Sequence, residues 1–221
     1  MENYMNDYLT IALPKGKLFT ISKNLLHRVG FSADHLSEKS RKLVIENKDL
    51  KVRFIIAKTS DVPTYVEYGA ADIGIIGKDV LLESQKDVYE ILDLGFGKCH
   101  LMMAVPQKEK RRRLLDYSYT RVATKYPHIA ESFFARQGMQ MEYIKLNGSI
   151  ELGPIVGLSE SIVDIVETGT TLAENDLEEI AHILDVSARL IVNRVSFKLK
   201  FHRINEIVNN LRPIIESGEI L

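Results

Sequence analysis

The chain alternates short apolar runs with stretches in which apolar residues recur every three or four positions. Leu9–Leu13 is a continuous apolar run, typical of a buried strand. The positions after it form one apolar stripe at helical spacing, made of Leu18, Ile21, Leu25, Leu26 and Val29. This spacing predicts a helix that packs on a sheet, and Gly30 predicts its end.

The same alternation continues along the chain and predicts an α/β fold with two lobes of mixed, largely parallel sheets. Further strands are predicted at Lys51–Ala57, Ala71–Ile76, Val88–Leu94, His100–Val105, Thr120–Thr124, Met141–Leu146, Ser161–Val166 and Arg189–Asn193. Further helices are predicted at Val62–Tyr68, Pro127–Gln137, Ile150–Leu158 and around Ile204, Ile207, Val208 and Leu211.

Two glycines, Gly95 and Gly97, interrupt the pattern and mark a boundary between the lobes. The last strand and helix have no evident place in the second lobe, so we expect them to return to the first. The prediction is a discontinuous first lobe of residues 1–95 and 186–221, and a second lobe of residues 96–185. A chain that crosses twice leaves a cleft between the lobes, where the carboxyl ends of strands bind small molecules.

Composition narrows the range of functions. Of 221 residues, 45% are hydrophobic, and 29 Lys and Arg against 30 Asp and Glu give a formal net charge of −1. No global field would attract nucleic acid or an acidic membrane, so an anionic ligand requires a local cluster of cations. The single cysteine, Cys99, excludes a disulfide framework and favours a cytoplasmic location. We find no export signal and no apolar run of the ~20 residues that cross a bilayer.

The most informative segment is an apolar strand followed by a turn rich in hydroxyl groups. Thr168–Thr171 offer hydroxyls and successive amides to a phosphate, and a helix starting near Thr171 would add partial positive charge. Asp164 and Glu167 offer acceptor oxygens to ribose hydroxyls or to water on Mg²⁺. A strand followed by a threonine-rich helix cap would look similar without a ligand. Because two acidic residues accompany it, the segment favours a phosphoribosyl site and resembles the loop of phosphoribosyltransferases that binds 5-phosphoribosyl diphosphate (PRPP).

A second candidate site lies at Pro14–Lys17, again between a strand and a helix. Two ammonium groups, Lys15 and Lys17, would meet there with the N-terminus of a helix. A solvated basic turn is the alternative interpretation. Arg41 and Lys58 add further positive groups, although each is more often a surface charge than a ligand contact.

Seven motifs follow one another at a spacing characteristic of one family. They are Leu13–Leu18, Ser40–Leu43, Asp61–Val66, Gly69–Leu81, Ala123–Pro127, Lys145–Leu152 and Asp164–Asn175. Through these motifs the chain resembles ATP phosphoribosyltransferase, the first enzyme of histidine biosynthesis, nearly from end to end. The resemblance implies a fold like that of type II periplasmic binding proteins, with the active site in the cleft between the lobes.

The resemblance also implies an activity. The enzyme would be a glycosyltransferase that joins N1 of the adenine of ATP to C1 of the ribose of PRPP, with inversion and release of diphosphate. Lys15, Lys17, Arg41 and Mg²⁺ would meet the charge that develops on the diphosphate. The PRPP contacts would be Asp164, Glu167, Thr168, Gly169, Thr170, Thr171 and Leu172. The substrate phosphates would supply most of the Mg²⁺ ligands. Lys17 stands where many relatives carry Arg, so its contact with the diphosphate would differ from theirs.

In length, the chain resembles members of the short form of the family, which lack a C-terminal regulatory domain. Short-form members work with a separate subunit similar to histidyl-tRNA synthetase, in a hetero-octamer. Three other interpretations stay open: a solute-binding protein of the same fold, a nucleotide-dependent regulatory subunit, and a conventional purine phosphoribosyltransferase. An export signal would be expected of the first. Diphosphate release from ATP, PRPP and Mg²⁺ would separate the second from an enzyme, and free adenine in place of ATP would separate the third.

Overall fold

A computed structural model describes residues 8–31, 36, 37, 42–110 and 113–218. The chain divides into two compact units, Met1–Gly97 with Ser187–Leu221, and Lys98–Val186. The limits predicted from the sequence follow residues 95 and 185, and the contact limits follow residues 97 and 186. Each unit contains its own sheet.

The strands and helices alternate along the chain. The strands are β1 (Leu9–Pro14), β2 (Val44–Asn47), β3 (Val52–Ala57), β4 (Ile73–Gly77), β5 (Tyr89–Asp93), β6 (Cys99–Pro106), β7 (Arg121–Thr124), β8 (Glu142–Lys145), β9 (Ser161–Val166), β10 (Leu177–Val186) and β11 (Ala188–Val192). The helices are α1 (Lys17–Arg28), α2 (Val62–Glu67), α3 (Lys78–Ser84), α4 (Pro127–Arg136), α5 (Leu152–Ile155), α6 (Thr170–Glu174), α7 (Arg194–Leu199) and α8 (Phe201–Glu216).

The first unit is built on a six-stranded sheet in the order β2-β3-β1-β4-β11-β5. Its centre, β3-β1-β4, is parallel, and the other neighbours are antiparallel. Side chains of β1 alternate between the two faces, as a strand requires. Leu9 and Ile11 pack in a core with buried residues of α1 and α8, whereas Ala12 belongs to a second core with residues of α2 and α3.

The second unit is built on a five-stranded sheet in the order β10-β6-β9-β7-β8. The strands β9, β7 and β8 are parallel, and β6 and β10 are antiparallel to their neighbours. On one face, Val163 packs with Phe134 of α4. On the other face, Ile162 packs with Ile150 and with Leu172 of α6.

The structure confirms the α/β class with mixed sheets and corrects the predicted proportion of parallel strand pairs. Of the nine strand pairs formed by the described residues, four are parallel and five are antiparallel, so the sheets are not largely parallel. The sequence analysis missed β2, α3, β10 and α7. In β10, register shifts after Glu179 and His182 break the period-two pattern by which a strand is identified in a sequence.

The end of the chain belongs to the first unit, where β11 lies between β4 and β5. Asp72 ties this return to the sheet, since its carboxylate accepts hydrogen bonds from Ser196 Oγ at 2.6 Å and Lys200 Nζ at 2.7 Å. The amide of Thr10 donates to the same carboxylate at 2.7 Å. Across the described ranges, no helix is long and apolar enough to cross a membrane.

Candidate functional site

Three parallel strands of the second unit end at one edge of its sheet. Thr124, the last residue of β7, is in register with Lys145 at the end of β8 and with Val163 in β9. The segment that leaves β9 after Val166 therefore starts three residues beyond the carboxyl ends of its parallel neighbours, at the same edge of the sheet. In α/β sheets this is the edge where ligands bind.

The segment after β9 forms a tight turn into α6. Gly169 lies in the left-handed region at φ 76° and caps the helix, which begins at Thr170, one residue before the predicted start. The side chains of Thr168 and Thr170 are exposed, and their Oγ1 atoms lie 3.1 Å apart. Because the first amide groups of a helix have no intrahelical acceptor, this turn presents amides and hydroxyls together.

Buried contacts fix the turn from below. Leu172 is 6% exposed and packs with Ile162 and Val166 of β9. The amide of Ala173 donates to the Gly169 carbonyl at 3.1 Å and closes the first helical turn. The exposed hydroxyl groups therefore stand on a segment whose apolar side is anchored in the core.

The two acidic residues predicted for the site differ in setting. Asp164 is half-buried in β9, and its Oδ1 accepts a hydrogen bond from the amide of Ile165 at 2.8 Å. Glu167 is exposed at the start of the turn. Both are in the second unit with the threonine turn, and Asp164 is the carboxylate with the more restricted position.

Thr124 is a residue at this edge that the sequence analysis did not single out. It is fully buried, and its hydroxyl donates to the Val163 carbonyl at 2.7 Å. The same oxygen accepts from the amide of Tyr126 at 2.9 Å. Its signals in the sequence are its place at the end of a predicted strand and within the motif Ala123–Pro127, and neither reveals the partner in β9.

The basic turn of the first unit joins β1 to α1. Gly16 has φ 92° with ψ −152°, a conformation that favours glycine, and its carbonyl accepts the first helical bond from Phe19 at 2.9 Å. The amide of Lys15 donates to the Ala57 carbonyl at 2.8 Å, and its carbonyl accepts from Thr59 Oγ1 at 3.1 Å. The backbone at Lys15 is thus held, while the side chains of Lys15 and Lys17 are exposed.

A lysine follows each of the three parallel strands in the first unit. Lys15 follows β1, Lys58 follows β3, and Lys78 follows β4. Pro14 and Ala57 are in register, so Lys15 and Lys58 lie side by side at the sheet edge. Lys78 pairs with Glu90, which reduces its availability to an anion. The predicted contact Arg41 lies outside the described residues.

The predicted site residues therefore fall into two sets. Lys15 and Lys17 belong to the first unit, and the segment from Asp164 to Leu172 belongs to the second. Within each set, the fold brings the members together at the carboxyl ends of parallel strands. In the parts of the chain that the structure describes, no three His, Cys, Asp or Glu side chains are grouped to hold a metal ion.

Comparisons with known proteins point to one family. The family model described as HisG, ATP phosphoribosyltransferase, matches residues 58–213. The ATP phosphoribosyltransferase of Desulfitobacterium hafniense is 52% identical over 216 residues, which cover 95% of this chain and 97% of that protein. The ATP phosphoribosyltransferase of Syntrophotalea carbinolica is 51% identical over 212 residues, which cover 96% of this chain and 97% of that protein.

Solved structures agree on the fold. A chain of the ATP phosphoribosyl transferase (HisG:HisZ) complex from Thermotoga maritima is similar with a TM-score of 0.80 and 33% identity, covering 95% of this chain and 98% of that chain. The substrate-binding protein of an amino acid ABC transporter is similar with a TM-score of 0.61 and 12% identity, covering 96% of this chain and 95% of its own. The second likeness shows the fold alone, that of type II periplasmic binding proteins.

Proposed function

The chain belongs to the ATP phosphoribosyltransferase family, whose enzymes begin histidine biosynthesis, and we propose that it transfers the phosphoribosyl group of PRPP to N1 of the adenine of ATP. The products would be N1-(5-phosphoribosyl)-ATP and diphosphate, with inversion at C1 of the ribose. A cytoplasmic location is part of the proposal, since a chain with one cysteine suits a reducing compartment.

The threonine turn after β9 is the observation that carries the proposal. Thr168, Thr170 and Thr171 are exposed at the start of α6, where the first amides have no intrahelical acceptor. This donor set suits the 5-phosphate of PRPP. Asp164, just inside the end of β9, would accept hydrogen bonds from the ribose hydroxyls, and Glu167 is a second candidate for them.

The lysines of the first unit would meet the diphosphate. Lys15 and Lys17 flank the left-handed Gly16 at the start of α1, so two cations and a helix N-terminus lie on one turn. As the bond from C1 to the leaving oxygen lengthens, negative charge grows on the diphosphate and positive charge on the ribose ring. Groups that bind the leaving charge more strongly in the transition state accelerate the reaction. Arg41 has the same role in this proposal.

No side chain is needed as the nucleophile. Adenine N1 already carries a lone pair, so the protein contributes by holding two polyanions in a reactive orientation and by exchanging water for fixed donors. The roles assigned to the threonine turn and to the lysines are both of this kind. Neither requires a proton to be removed from the enzyme.

Mg²⁺ would enter this site bound to the phosphates of the substrate. The described residues offer no cluster of three metal-binding side chains, whereas the phosphates of PRPP and ATP are strong oxygen ligands for Mg²⁺. When bound, the ion would neutralise diphosphate charge. Asp164 and Glu167 are the site carboxylates that could hold waters of its coordination shell.

We also propose that the chain assembles with a regulatory subunit similar to histidyl-tRNA synthetase, in a hetero-octamer. The support is the 33% identical Thermotoga maritima relative, whose structure is a HisG:HisZ complex. No described residue is assigned to that contact.

The test is diphosphate release from ATP, PRPP and MgCl₂ by the purified chain, alone and co-expressed with a HisZ-like subunit. We expect diphosphate only when all three reagents are present, and none when free adenine replaces ATP.

Calorimetric titration with PRPP and MgCl₂ tests the site itself. Thr168→Val with Thr170→Val should weaken PRPP binding about tenfold, whereas Ser132→Ala, which removes an exposed hydroxyl on α4, should not. Equal PRPP affinity in both variants would reject the threonine turn as the phosphate site.

A further inference from the structure

The buried hydroxyl of Thr124 joins three elements at the edge where the threonine turn begins. It donates to the Val163 carbonyl of β9 at 2.7 Å and accepts from the amide of Tyr126 at 2.9 Å. Tyr126 is the residue that precedes and caps α4. One hydroxyl in β7 therefore uses both its donor and an acceptor site to hold β9 and α4 in place.

The position of this contact along β9 gives it a specific consequence. The pair Thr124 and Val163 is the last of the β7–β9 ladder. Beyond it, β9 continues through Asp164–Val166 with β6 as its only strand partner among the described residues. The Thr124 hydroxyl therefore bonds to β9 at the last pair of this ladder, one residue before Asp164 and five before Thr168.

We propose that Thr124 is a positioning residue for PRPP binding, which fixes the end of β9 and thereby the Asp164 carboxylate and the threonine turn. This inference rests on the proposed function, because it takes that segment as the PRPP site. Thr124 is fully buried and does not touch the ligand, so its effect passes through the Val163 carbonyl. The orientation of Asp164 depends on that peptide unit, since the Val163 carbonyl carbon is bonded to the Asp164 amide nitrogen and the planar unit ends at the Cα of Asp164.

A matched control stands at the other end of the same region. Thr120, directly before β7, also donates its hydroxyl to a carbonyl, that of Tyr117, at 2.6 Å. Removing that hydroxyl loses a comparable hydrogen bond far from the carboxyl end of the strand. A purely structural role for Thr124 would make the two replacements equivalent for PRPP.

Three substitutions grade the contact. Thr124→Ser keeps the hydroxyl, Thr124→Cys keeps the size with a weak thiol donor and acceptor, and Thr124→Val keeps the shape with neither. We expect the PRPP dissociation constant to rise within twofold for Ser, by an intermediate factor for Cys, and by about tenfold for Val. If Thr124→Val does not fold, Thr124→Cys carries the comparison. Thr120→Val should stay within twofold of the unmodified chain.

Calorimetry with PRPP and MgCl₂ measures the PRPP affinities. Amide hydrogen exchange without ligand measures how well the backbone from Asp164 to Gly169 is protected. Faster exchange of residues 164–169 in Thr124→Val than in Thr120→Val is the expected result. In turnover assays, the KM for PRPP should rise while the KM for ATP stays within twofold.

The outcomes separate this inference from the proposed function. If Thr168→Val with Thr170→Val weakens PRPP binding but Thr124→Cys and Thr124→Val bind PRPP like Thr120→Val, the positioning role is wrong and the site stands. If the double threonine variant binds PRPP normally, the proposed site fails, and the role of Thr124 in PRPP binding fails with it.

Discussion

At the scale of single residues, different residues of the threonine turn shape its backbone and expose its hydroxyl groups. Leu172 is buried in the core, and Gly169 supplies the left-handed conformation between strand and helix. Thr168 and Thr170 are left exposed, with their hydroxyl oxygens 3.1 Å apart. The residues that shape the turn are therefore different from those that would touch a phosphate, and substitutions in the two groups have different consequences.

Asp164→Asn should mainly weaken PRPP. The carboxylate of Asp164 is half-buried and already accepts from the amide of Ile165, so its orientation is restricted. Losing charge-assisted hydrogen bonds to the ribose hydroxyls should raise the PRPP dissociation constant about tenfold or more. Calorimetry measures this value, with Asp185→Asn, an exposed carboxylate in the same unit, as the control. Unchanged affinity in Asp164→Asn would remove it from the site.

Arg41→Ala should lower turnover rather than substrate binding. Arg41 lies outside the described residues, and its role follows from the family motif in which it stands. A cationic contact that strengthens in the transition state contributes roughly 2 to 4 kcal/mol, so kcat should fall by about 30-fold to 900-fold. Steady-state kinetics at saturating ATP and PRPP tests this, with Arg212→Ala on α8 as the control. Normal turnover in Arg41→Ala would cancel the assignment.

At the scale of elements, side-chain hydrogen bonds join segments that are distant in sequence. Asn193 caps α7 by accepting from the amides of Val195 and Ser196, both at 2.9 Å. Its amide group donates to the carbonyls of Val66 at 2.8 Å and Glu67 at 3.0 Å, at the end of α2. One side chain thus connects the returning end of the chain to a helix in its first third.

Asn193→Ala should destabilise the first unit. The loss of a helix cap, of one buried hydrogen bond and of one partly buried hydrogen bond should lower the free energy of unfolding by about 2 to 3 kcal/mol. Because the chain has no Trp, urea unfolding is best followed by far-UV circular dichroism. Asn209→Ala, on the exposed face of α8, is the control and should change stability by less than about 0.5 kcal/mol. Equal stability of the two variants would contradict the bridging role of Asn193.

A second inter-element contact depends on pH. The carboxylate of Glu160 accepts from the guanidinium of Arg121 at 2.6 Å and from its amide at 2.8 Å, and the guanidinium hydrogen bond is the main cause that lowers the pKa of Glu160. A carboxyl whose pKa is lower in the folded state stabilises the fold above its unfolded pKa of about 4.3, and this stabilisation is lost as the pH falls through the folded value.

Glu160→Gln should therefore reduce stability at pH 7 and have less effect below about pH 4. Both side chains are partly exposed, so the difference at pH 7 should stay at about 1 kcal/mol or less. Urea unfolding at a series of pH values tests this, with the exposed Glu206→Gln as the control. A stability difference that grows on acidification would contradict the expected sign.

At the scale of the whole molecule, a formal net charge of −1 coexists with candidate sites for polyanions. The positive groups are local: lysines follow each parallel strand of the first unit, and in the second unit Lys125 follows β7 and Lys145 ends β8, beside the amides and hydroxyls of the threonine turn. Each unit has its own sheet and cores, and the chain passes between them after Gly97 and after Val186.

The proposed regulatory partner gives a prediction at this scale. Co-expressed with a HisZ-like subunit, the chain should co-purify in a complex whose mass corresponds to a hetero-octamer, and diphosphate release per chain should rise. Light scattering coupled to gel filtration measures the mass. The chain purified alone is the reference for both measurements. Separate elution of the two proteins at micromolar concentration would contradict the assembly.

The elements that the sequence predicted well are those with strong periodicity and local punctuation. The apolar run at β1, the stripe of α1 and the glycine after it lie where expected, because burial on a sheet face imposes spacing on adjacent residues. The threonine turn was recognisable because its signals are also local: its strand, glycine and helix start are consecutive in the chain.

Other features were decided only in three dimensions. The strand β10 escaped prediction because two register shifts disrupt its alternation, and β11 acquires its place only by pairing with β4 and β5. The contact between Thr124 and Val163 joins residues 39 positions apart. The sequence by itself determined the family, the local turns and the chemical groups at their tips. The tertiary structure alone decided which strand ends are neighbours, because pairing between distant segments depends on the packing of both and leaves no spacing pattern in either.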